Sequence, residues 1–219
     1  AVLVRLPIGD NQASYIGACG WGNESMLLNL GTGGQISLPL PEFAFDPELE
    51  TRPLPFGGYL LVGASLCGGR SYAILKEFFS QAVEAFTGRS MRDEELYAVM
   101  DRLACSTERE LVVDTRLVGT RQAPDIRGSI AGIGVESFTP ASLCRGFTRG
   151  MIAELARMVD PGMRTRFRAI TVSGNAVRKN PLARAFITEA FGLPCAESAD
   201  REEAATGAAM AAFHSKEKR

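Results

Sequence analysis

The sequence is poor in the side chains that most often carry enzyme chemistry. Its 219 residues include one histidine, His214, and five cysteines that form no CxxC pair. A cluster of histidines around a metal is therefore excluded, and a Ser-His-Asp triad would depend on a residue of the polar C-terminal segment. Scattered cysteines, odd in number, argue against a disulfide framework or a zinc site and favour reduced thiols in a cytoplasmic protein. Any chemistry must depend on carboxylates, hydroxyls and backbone amides.

An excess of one charge and long apolar runs are also missing. Lys and Arg total 24 against 25 Asp and Glu, a formal charge of −1, which gives no indication of a nucleic-acid or anionic-membrane partner. No apolar run approaches the roughly 20 residues of a membrane helix. The pattern of a signal peptide is not seen, and the first residues, Ala1–Val4, resemble the middle of a strand. We therefore expect the sequence to be part of a longer polypeptide.

What is present is an ordinary globular composition with many glycines. Hydrophobic residues make up 46% and charged residues 22%, which suits one large domain or two small ones. The 23 glycines of the 219 residues make up about a tenth of the sequence, against roughly 7% in average proteins. Several of them follow apolar, strand-like runs, where the backbone must turn sharply or approach a ligand closely.

Hydrophobic periodicity predicts alternating strands and helices. Strands are predicted at Met26–Leu30, Gln35–Leu38, Tyr59–Ser65, Leu111–Asp114, Ile130–Val135 and Ala169–Ser173. Six helices are predicted. They run from Asn11 to Cys19, through a segment that ends at Gly88 and carries Leu75, Phe78, Phe79, Ala82 and Phe86 on one apolar face, after a Ser90 cap, after Thr139, from Asn180 to Gly192, and from Asp200 to Phe213. A hairpin followed by βα units indicates a layered α/β fold.

Asp10 is the first carboxylate that could carry chemistry. It lies where an apolar segment meets a helix, so it is a candidate N-cap. A carboxylate at a helix N-terminus is stabilised in its charged form, and one that faces a cleft can accept a proton from a substrate hydroxyl. The position alone does not distinguish a cap from a general base.

The glycine-rich sequence between the first two predicted strands is a stronger signal. Gly31, Thr32 and Gly33 would expose backbone N–H groups and one hydroxyl at a tight turn, which can hold phosphate oxygens in a nest of amides. An ordinary glycine hairpin is the alternative. The sequence is neither a Walker A loop nor GxGxxG, so P-loop and Rossmann folds lose support.

Two further segments are candidates. Gly174 and Asn175 follow a buried strand, where ligands bind in open α/β sheets, whereas Asn180 could be only a helix N-cap. Gly207 lies inside the final predicted helix, where glycine costs about 1 kcal/mol relative to alanine. Either a ligand or another helix is therefore expected to approach the backbone at Gly207.

Taken in order, these segments resemble the C-terminal half of the FGGY carbohydrate kinases over nearly the whole chain. The motifs are Gly9-Asp10-Asn11-Gln12-Ala13, Leu30-Gly31-Thr32-Gly33, Gly63–Gly69, Arg127–Ile133, Ser173-Gly174-Asn175-Ala176 and Glu203–Ala209. Within the family, the segments Ala64–Gly69, Thr139–Gly146 and Ser173–Ala176 are most similar to the sedoheptulokinases.

This resemblance implies an actin-like ATPase (ribonuclease H-like) domain, a mixed sheet flanked by helices, with ATP and Mg²⁺ as cofactors. Residues 1–219 would be the C-terminal nucleotide-binding domain, and the N-terminal sugar-binding domain would be absent from this chain. The resemblance assigns the following roles: catalytic base, Asp10; phosphate hairpin, Gly31, Thr32 and Gly33; nucleotide phosphates and ribose, Gly69; adenosine, Gly174, Asn175 and Asn180.

The sequence departs from the family pattern at two positions. Arg149 stands where many relatives have Glu, and Ala73 where some have a polar residue towards the adenine. The leading hypothesis is the base-bearing half of an ATP-dependent kinase that phosphorylates a ketose, sedoheptulose first. The alternatives are a kinase for another sugar or polyol, such as xylulose or glycerol, and a non-catalytic actin-like module that binds a nucleotide or a partner protein. Asp10 favours a kinase, because a binding module needs no base.

Overall fold

A six-stranded mixed sheet forms the centre of the chain in a computed structural model, which describes residues 7–55 and 57–217. The strand predicted at Ala1–Val4 lies outside these residues. The strands are β1 Ser25–Leu30, β2 Gly34–Leu40, β3 Glu50–Pro53, β4 Tyr59–Ser65, β5 Val112–Asp114, β6 Ser129–Ala131, β7 Ala169–Ser173 and β8 Cys195–Glu197. The helices are α1 Asp10–Cys19, α2 Gly68–Thr87, α3 Asp93–Cys105, α4 Pro140–Arg157, α5 Pro161–Arg164, α6 Asn175–Lys179, α7 Pro181–Phe191 and α8 Glu203–Glu217.

The sheet has the strand order β3-β4-β2-β1-β7-β8. Three pairs of neighbouring strands are antiparallel: β1 with β2, β2 with β4, and β4 with β3. The other two pairs, β1 with β7 and β7 with β8, are parallel. Strands β5 and β6 form a separate two-stranded sheet. The predicted hairpin and the predicted mixed sheet flanked by helices are both confirmed.

The two faces of the sheet bury different helices, because successive side chains of a strand point to opposite faces. In β1, Met26, Leu28 and Leu30 join a large core with α2, α3, α4 and α7. Leu27 points the other way and packs with Tyr15 of α1, together with two side chains of β4. The α1 face and the α4 face of the sheet are therefore different sides of one layer.

Helix ends follow their local chemistry at several predicted positions. The Thr139 hydroxyl accepts a hydrogen bond from the Ser142 amide, with Pro140 in the first turn of α4. The Asn180 side chain accepts from two amides at the start of α7, and Gly192 ends that helix in the left-handed region at φ 68°. These caps satisfy N–H groups that have no partner inside the helix.

Three helix predictions are wrong. The N-cap of α3 is Arg92 and not Ser90. Gly9 is the N-cap of α1, and Asp10 is its first helical residue. On α2, Phe78 and Phe86 are 58% and 89% exposed, because the second half of this helix extends beyond the layer that its first half covers.

Strand predictions miss the edges of the sheets. The strand predicted at Ile130–Val135 is only β6, whose three residues are exposed. Neither β3 nor β8 was expected, since both lie at edges and show little apolar alternation. An edge strand is defined by pairing with its neighbour, and its own sequence carries a weak signal.

Helices α1 and α8 cross at two glycines. A Cβ atom added to Gly207 would lie 1.8 Å from the Ala13 carbonyl oxygen, and one added to Gly17 would lie 1.9 Å from the Glu203 carbonyl oxygen. Backbone therefore contacts backbone at this crossing, and Gly207 serves a helix–helix contact. No helix within the described ranges is long and apolar enough to cross a membrane. The five cysteines, all of them described, are free thiols.

Candidate active site

The β1–β2 hairpin is fastened to the first turn of α2. The amide of Gly69 donates to the carbonyl oxygen of Gly31 at 3.0 Å, and the amide of Arg70 donates to that of Thr32 at 2.9 Å. The contact is close: a Cβ at Gly69 would lie 2.3 Å from the Gly31 oxygen. The hairpin carbonyls are therefore turned towards α2.

The amides on the other side of the hairpin make no backbone hydrogen bond within the part of the chain that the structure describes. Among the described residues, the amides of Thr32 and Gly33 donate to no backbone oxygen, and Thr32 and Gly33 are exposed. Two neighbouring N–H groups and a hydroxyl are thus available for a ligand, as an amide nest for an anion requires.

The turn from β7 into α6 passes directly over the end of β1. Gly174 has φ 93°, and a Cβ there would lie 2.5 Å from the Leu30 carbonyl oxygen. Only glycine combines this left-handed backbone with so close an approach. Gly174 thereby brings Asn175, the first residue of α6, next to the hairpin.

A cavity of about 640 Å³ opens beside these segments. Five of the eight predicted site residues line it, although they lie far apart in the sequence: Gly31, Thr32, Gly69, Asn175 and Asn180. Gly33 and Gly174 do not line it but border residues that do. The volume lies within the range of roughly 300–1,000 Å³ that is usual for ligand pockets.

Helix α3 supplies a wall of the cavity that the sequence analysis missed. Asp93, Tyr97 and Asp101 all line it, and their spacing of four residues places them on one face of a helix. That spacing was visible in the sequence, but the motifs of the resemblance do not include it. The rings of Tyr97 and Tyr72 are nearly parallel, with centroids 6.3 Å apart.

Asp101 accepts two hydrogen bonds on one carboxylate oxygen. The Tyr72 hydroxyl and the Asn180 side-chain amide each donate to Oδ1 at 3.1 Å. Burial raises the pKa of Asp101, and the hydrogen bond from Tyr72 partly opposes this shift. Burial also raises the pKa of Tyr72, so its hydroxyl stays protonated and donates.

Asp10 does not line this cavity. It is exposed, and its Oδ1 accepts a hydrogen bond from the Asn11 amide at 2.8 Å. Asn11 shares a recess of about 50 Å³ with Gln35 and Ala64, which are paired on β2 and β4 next to the hairpin. The start of α1 and the hairpin therefore lie at the same end of the sheet, with α1 on the face opposite the cavity.

The two departures from the family pattern have different surroundings. Ala73 lines the cavity. Arg149 forms ion pairs with Glu110 at 2.5 Å and Glu189 at 3.0 Å, and its guanidinium lies 4.0 Å from the centroid of the Phe186 ring. Arg149 thus contributes to the packing between α4 and α7.

The domain resembles solved kinase structures across most of its length. A xylulose kinase from Rhodospirillum rubrum superposes with a TM-score of 0.78 at 20% identity, over 94% of this chain and 41% of that one. A gluconate kinase from Lactobacillus acidophilus gives 0.74 at 20% identity, over 94% and 42%. A Plasmodium falciparum glycerol kinase with ADP gives 0.73 at 18% identity, over 97% and 42%. The chain thus spans about two fifths of their length.

These superpositions establish the fold, which is the actin-like ATPase fold. A comparison with curated protein sequences finds no significant match. The family model for the C-terminal domain of the FGGY carbohydrate kinases, however, matches residues 26–215. Because that match covers most of the sequence, the chain belongs to the FGGY family of carbohydrate kinases, as a C-terminal domain.

Proposed function

We propose that residues 1–219 are the nucleotide-binding domain of an ATP-dependent carbohydrate kinase, with ATP bound in the cavity beside the hairpin. The observation that carries this proposal is the meeting of Thr32, Gly69 and Asn175, from three separate segments, in one cavity of about 640 Å³. Kinases of this family use ATP to phosphorylate sugars.

The phosphates of ATP would lie at the hairpin end of the cavity. The amides of Thr32 and Gly33 have no backbone acceptor among the described residues, so they can donate to phosphate oxygens, with the Thr32 hydroxyl as a third donor. The backbone around Gly31 and Gly69 would border the phosphates and ribose. Gly174 and Asn175 would border the adenosine.

Asp10 would act as the general base. It would accept the proton of the acceptor hydroxyl as that oxygen attacks the γ-phosphate in line. Support comes from its exposure at the start of α1, at the same end of the sheet as the hairpin. Phosphoryl transfer depends mainly on positioning and charge stabilisation, so a carboxylate, a hydroxyl and amides are sufficient protein groups from this chain.

Magnesium would enter with the nucleotide. Across residues 7–55 and 57–217, no group of three or more His, Cys, Asp or Glu side chains could hold a metal ion. Mg²⁺ commonly keeps several waters and binds through substrate phosphates plus one or two carboxylates. The chain is compatible with that arrangement, in which the ion would neutralise phosphate charge.

The proposed acceptor is a ketose, and sedoheptulose is the first to test. The support is the resemblance of Ala64–Gly69, Thr139–Gly146 and Ser173–Ala176 to the sedoheptulokinases. The structural neighbours are kinases of xylulose, gluconate and glycerol by name, so these acceptors belong in the same assay. The free thiols support a cytoplasmic location.

An N-terminal domain would complete the site. The solved relatives are more than twice as long as this chain, and Asp10 is exposed at the start of α1. Holding two substrates in line can supply roughly 7–11 kcal/mol of the barrier. We therefore expect the isolated chain to bind ATP weakly and to phosphorylate no sugar.

Calorimetry of ATP binding to the isolated chain tests the nucleotide site. Thr32→Val removes the hydroxyl at nearly constant shape and should weaken binding about tenfold or more, as expected for a lost hydrogen bond to a charged group. The matched variant Thr32→Ser keeps the hydroxyl and should bind nearly as wild type. Equal ATP affinities of wild type and both variants would show that the Thr32 hydroxyl does not contact the nucleotide.

Turnover of the full-length protein tests the base. Asp10→Asn should keep ATP affinity and lower turnover by about 10²-fold or more, the scale of general base catalysis. Asn11→Asp in the Asp10→Asn background moves a carboxylate one position along α1 and should not restore activity, because that side chain lies on another part of the helix surface. Near-normal turnover of Asp10→Asn would show that Asp10 is not the general base and serves only the start of α1.

A further inference from the structure

The cavity holds one carboxylate, that of Asp101, to which the family motifs assign no role. Asp101 of α3 lines the cavity and uses Oδ1 for both of its hydrogen bonds, from Tyr72 and Asn180. Its second oxygen, Oδ2, makes no hydrogen bond to the described residues. The hydrogen bonds to Oδ1 thus hold the carboxylate in place, and Oδ2 remains available as an acceptor for a ligand.

Asn180 cannot fill that acceptor role. Its side-chain oxygen already accepts from the amides of Leu182 at 3.0 Å and Ala183 at 3.2 Å, which occupies both lone pairs. Its NH₂ group points to Asp101, and the residue is only 6% exposed. Asn180 therefore caps α7 and orients Asp101, and the acceptor that faces the cavity is the carboxylate.

The surroundings of Asp101 suit a planar base more than a sugar or a phosphate. The cavity that Asp101 lines has the aromatic or apolar side chains of Tyr72, Ala73, Tyr97, Ala98 and Met151, besides the charged side chains of Arg70, Asp93, Glu94 and Lys179. Tyr72 donates to the carboxylate itself, and Tyr97 lies one helical turn before it. The free amides and the hydroxyl of the hairpin are at the phosphate end. A negative charge beside aromatic rings attracts amino groups and repels carbonyl oxygens.

We propose that Asp101 selects the nucleobase: Oδ2 accepts a hydrogen bond from the exocyclic amino group of adenine and disfavours a purine with a carbonyl at that position. Tyr72 and Asn180 are positioning residues that hold the carboxylate. The inference rests on the proposed ATP site and adds to it the residue that discriminates between purine nucleotides.

Calorimetry with the isolated chain and three triphosphates tests the proposal. Inosine triphosphate has a carbonyl at purine position 6 in place of the amino group of ATP, together with a proton on N1, and purine riboside triphosphate has neither an amino nor a carbonyl group at position 6. Wild type should bind ATP about tenfold or more tightly than inosine triphosphate, with purine riboside triphosphate between them. Because these ligands compare one unaltered protein, the test does not depend on the folding of a variant.

Variants then assign the preference to one side chain. In Asp101→Asn the side-chain oxygen stays with the two donors, Tyr72 and Asn180, so an NH₂ group that only donates replaces Oδ2. The ratio of ATP to inosine triphosphate affinity should therefore fall to one or below. Glu94→Gln removes the same charge from an exposed residue lining the same cavity and should leave the ratio unchanged. Tyr72→Phe should lower the ratio in part, because it loosens Oδ1.

Each result has a separate meaning. A chain that binds ATP with the same ratio in wild type and Asp101→Asn overturns base selection and leaves the nucleotide site standing. A loss of affinity for 2′-deoxy-ATP that disappears in Asp101→Asn would move the contact from the base to the ribose and also overturn it. A chain that binds none of the triphosphates overturns both proposals.

Discussion

Replacing Gly207 by alanine perturbs the closest contact between two helices of the fold. The added Cβ would lie 1.8 Å from the Ala13 carbonyl oxygen and 2.7 Å from the Gly17 amide nitrogen. Separations below 3.0 Å are essentially never seen for a Cβ atom. Both neighbours are backbone atoms, so no side-chain rotation relieves the contact, and α1 and α8 must move apart by about 1 Å.

Two opposing terms set the magnitude. Alanine gains about 1 kcal/mol of helix propensity over glycine, whereas inserting a methyl group into a closely packed site costs about 1–3 kcal/mol. The cost should fall in the upper part of that range, because the contact is rigid. We expect a net loss of about 1–2 kcal/mol, which lowers Tm by roughly 2–8 °C in a chain of this size.

Thermal and denaturant unfolding of the isolated chain measure the effect. Ala209→Gly, at an exposed position on the same helix, calibrates the propensity term without altering the crossing. Because α1 begins with Asp10, the proposed base, Gly207→Ala should also lower the proposed kinase activity of the full-length protein, by up to about 10²-fold for a displacement of 1 Å. If Gly207→Ala melts at or above the wild-type temperature, the crossing does not constrain the two helices.

Two further predictions concern the core and the half-buried carboxylate of Asp101. Leu155→Ala on α4 removes a fully buried side chain and should lower the free energy of unfolding by about 2–5 kcal/mol. Phe86→Ala on α2, at an 89% exposed position, should change it by less than about 0.5 kcal/mol. Similar losses for the two variants in urea titrations would contradict the exposure of Phe86. Burial raises the pKa of Asp101 above its ordinary 3.8, so the folded state binds the proton of this carboxyl more tightly than the unfolded state does. The stabilisation of the folded state by this proton is complete below pH 3.8 and is lost as pH rises through the folded pKa. As pH rises through that folded pKa, the free energy of unfolding of wild type should therefore fall relative to that of Asp101→Asn. A difference between the two proteins that does not change with pH would refute the raised pKa of Asp101.

The sequence was most informative where local chemistry decides the structure. The hairpin at Gly31–Gly33 and the caps at Thr139 and Asn180 depend on a few adjacent residues, so their patterns predict them directly. The face of α2 was wrong at Phe86 because periodicity identifies an apolar stripe but not where its covering layer ends.

The candidate site was predictable only in pieces. Gly31, Gly69 and Asn175 were each expected, but their meeting depends on the order of strands β4, β2, β1 and β7 in the sheet. Asp101 was missed because its role arises from Tyr72 and Asn180, which lie 29 and 79 residues away. Local patterns carry no information about such long-range partners.

The crossing of α1 and α8 also determines when the site can form. Gly17 and Gly207 lie near opposite ends of the described chain, so during synthesis α1 has no partner at this crossing until α8 has emerged from the ribosome. The sheet, the hairpin and the cavity are encoded between them and can assemble earlier. Asp10 would therefore be the last element of the proposed site to be fixed, and a nascent chain would hold nucleotide before it could remove a proton from an acceptor.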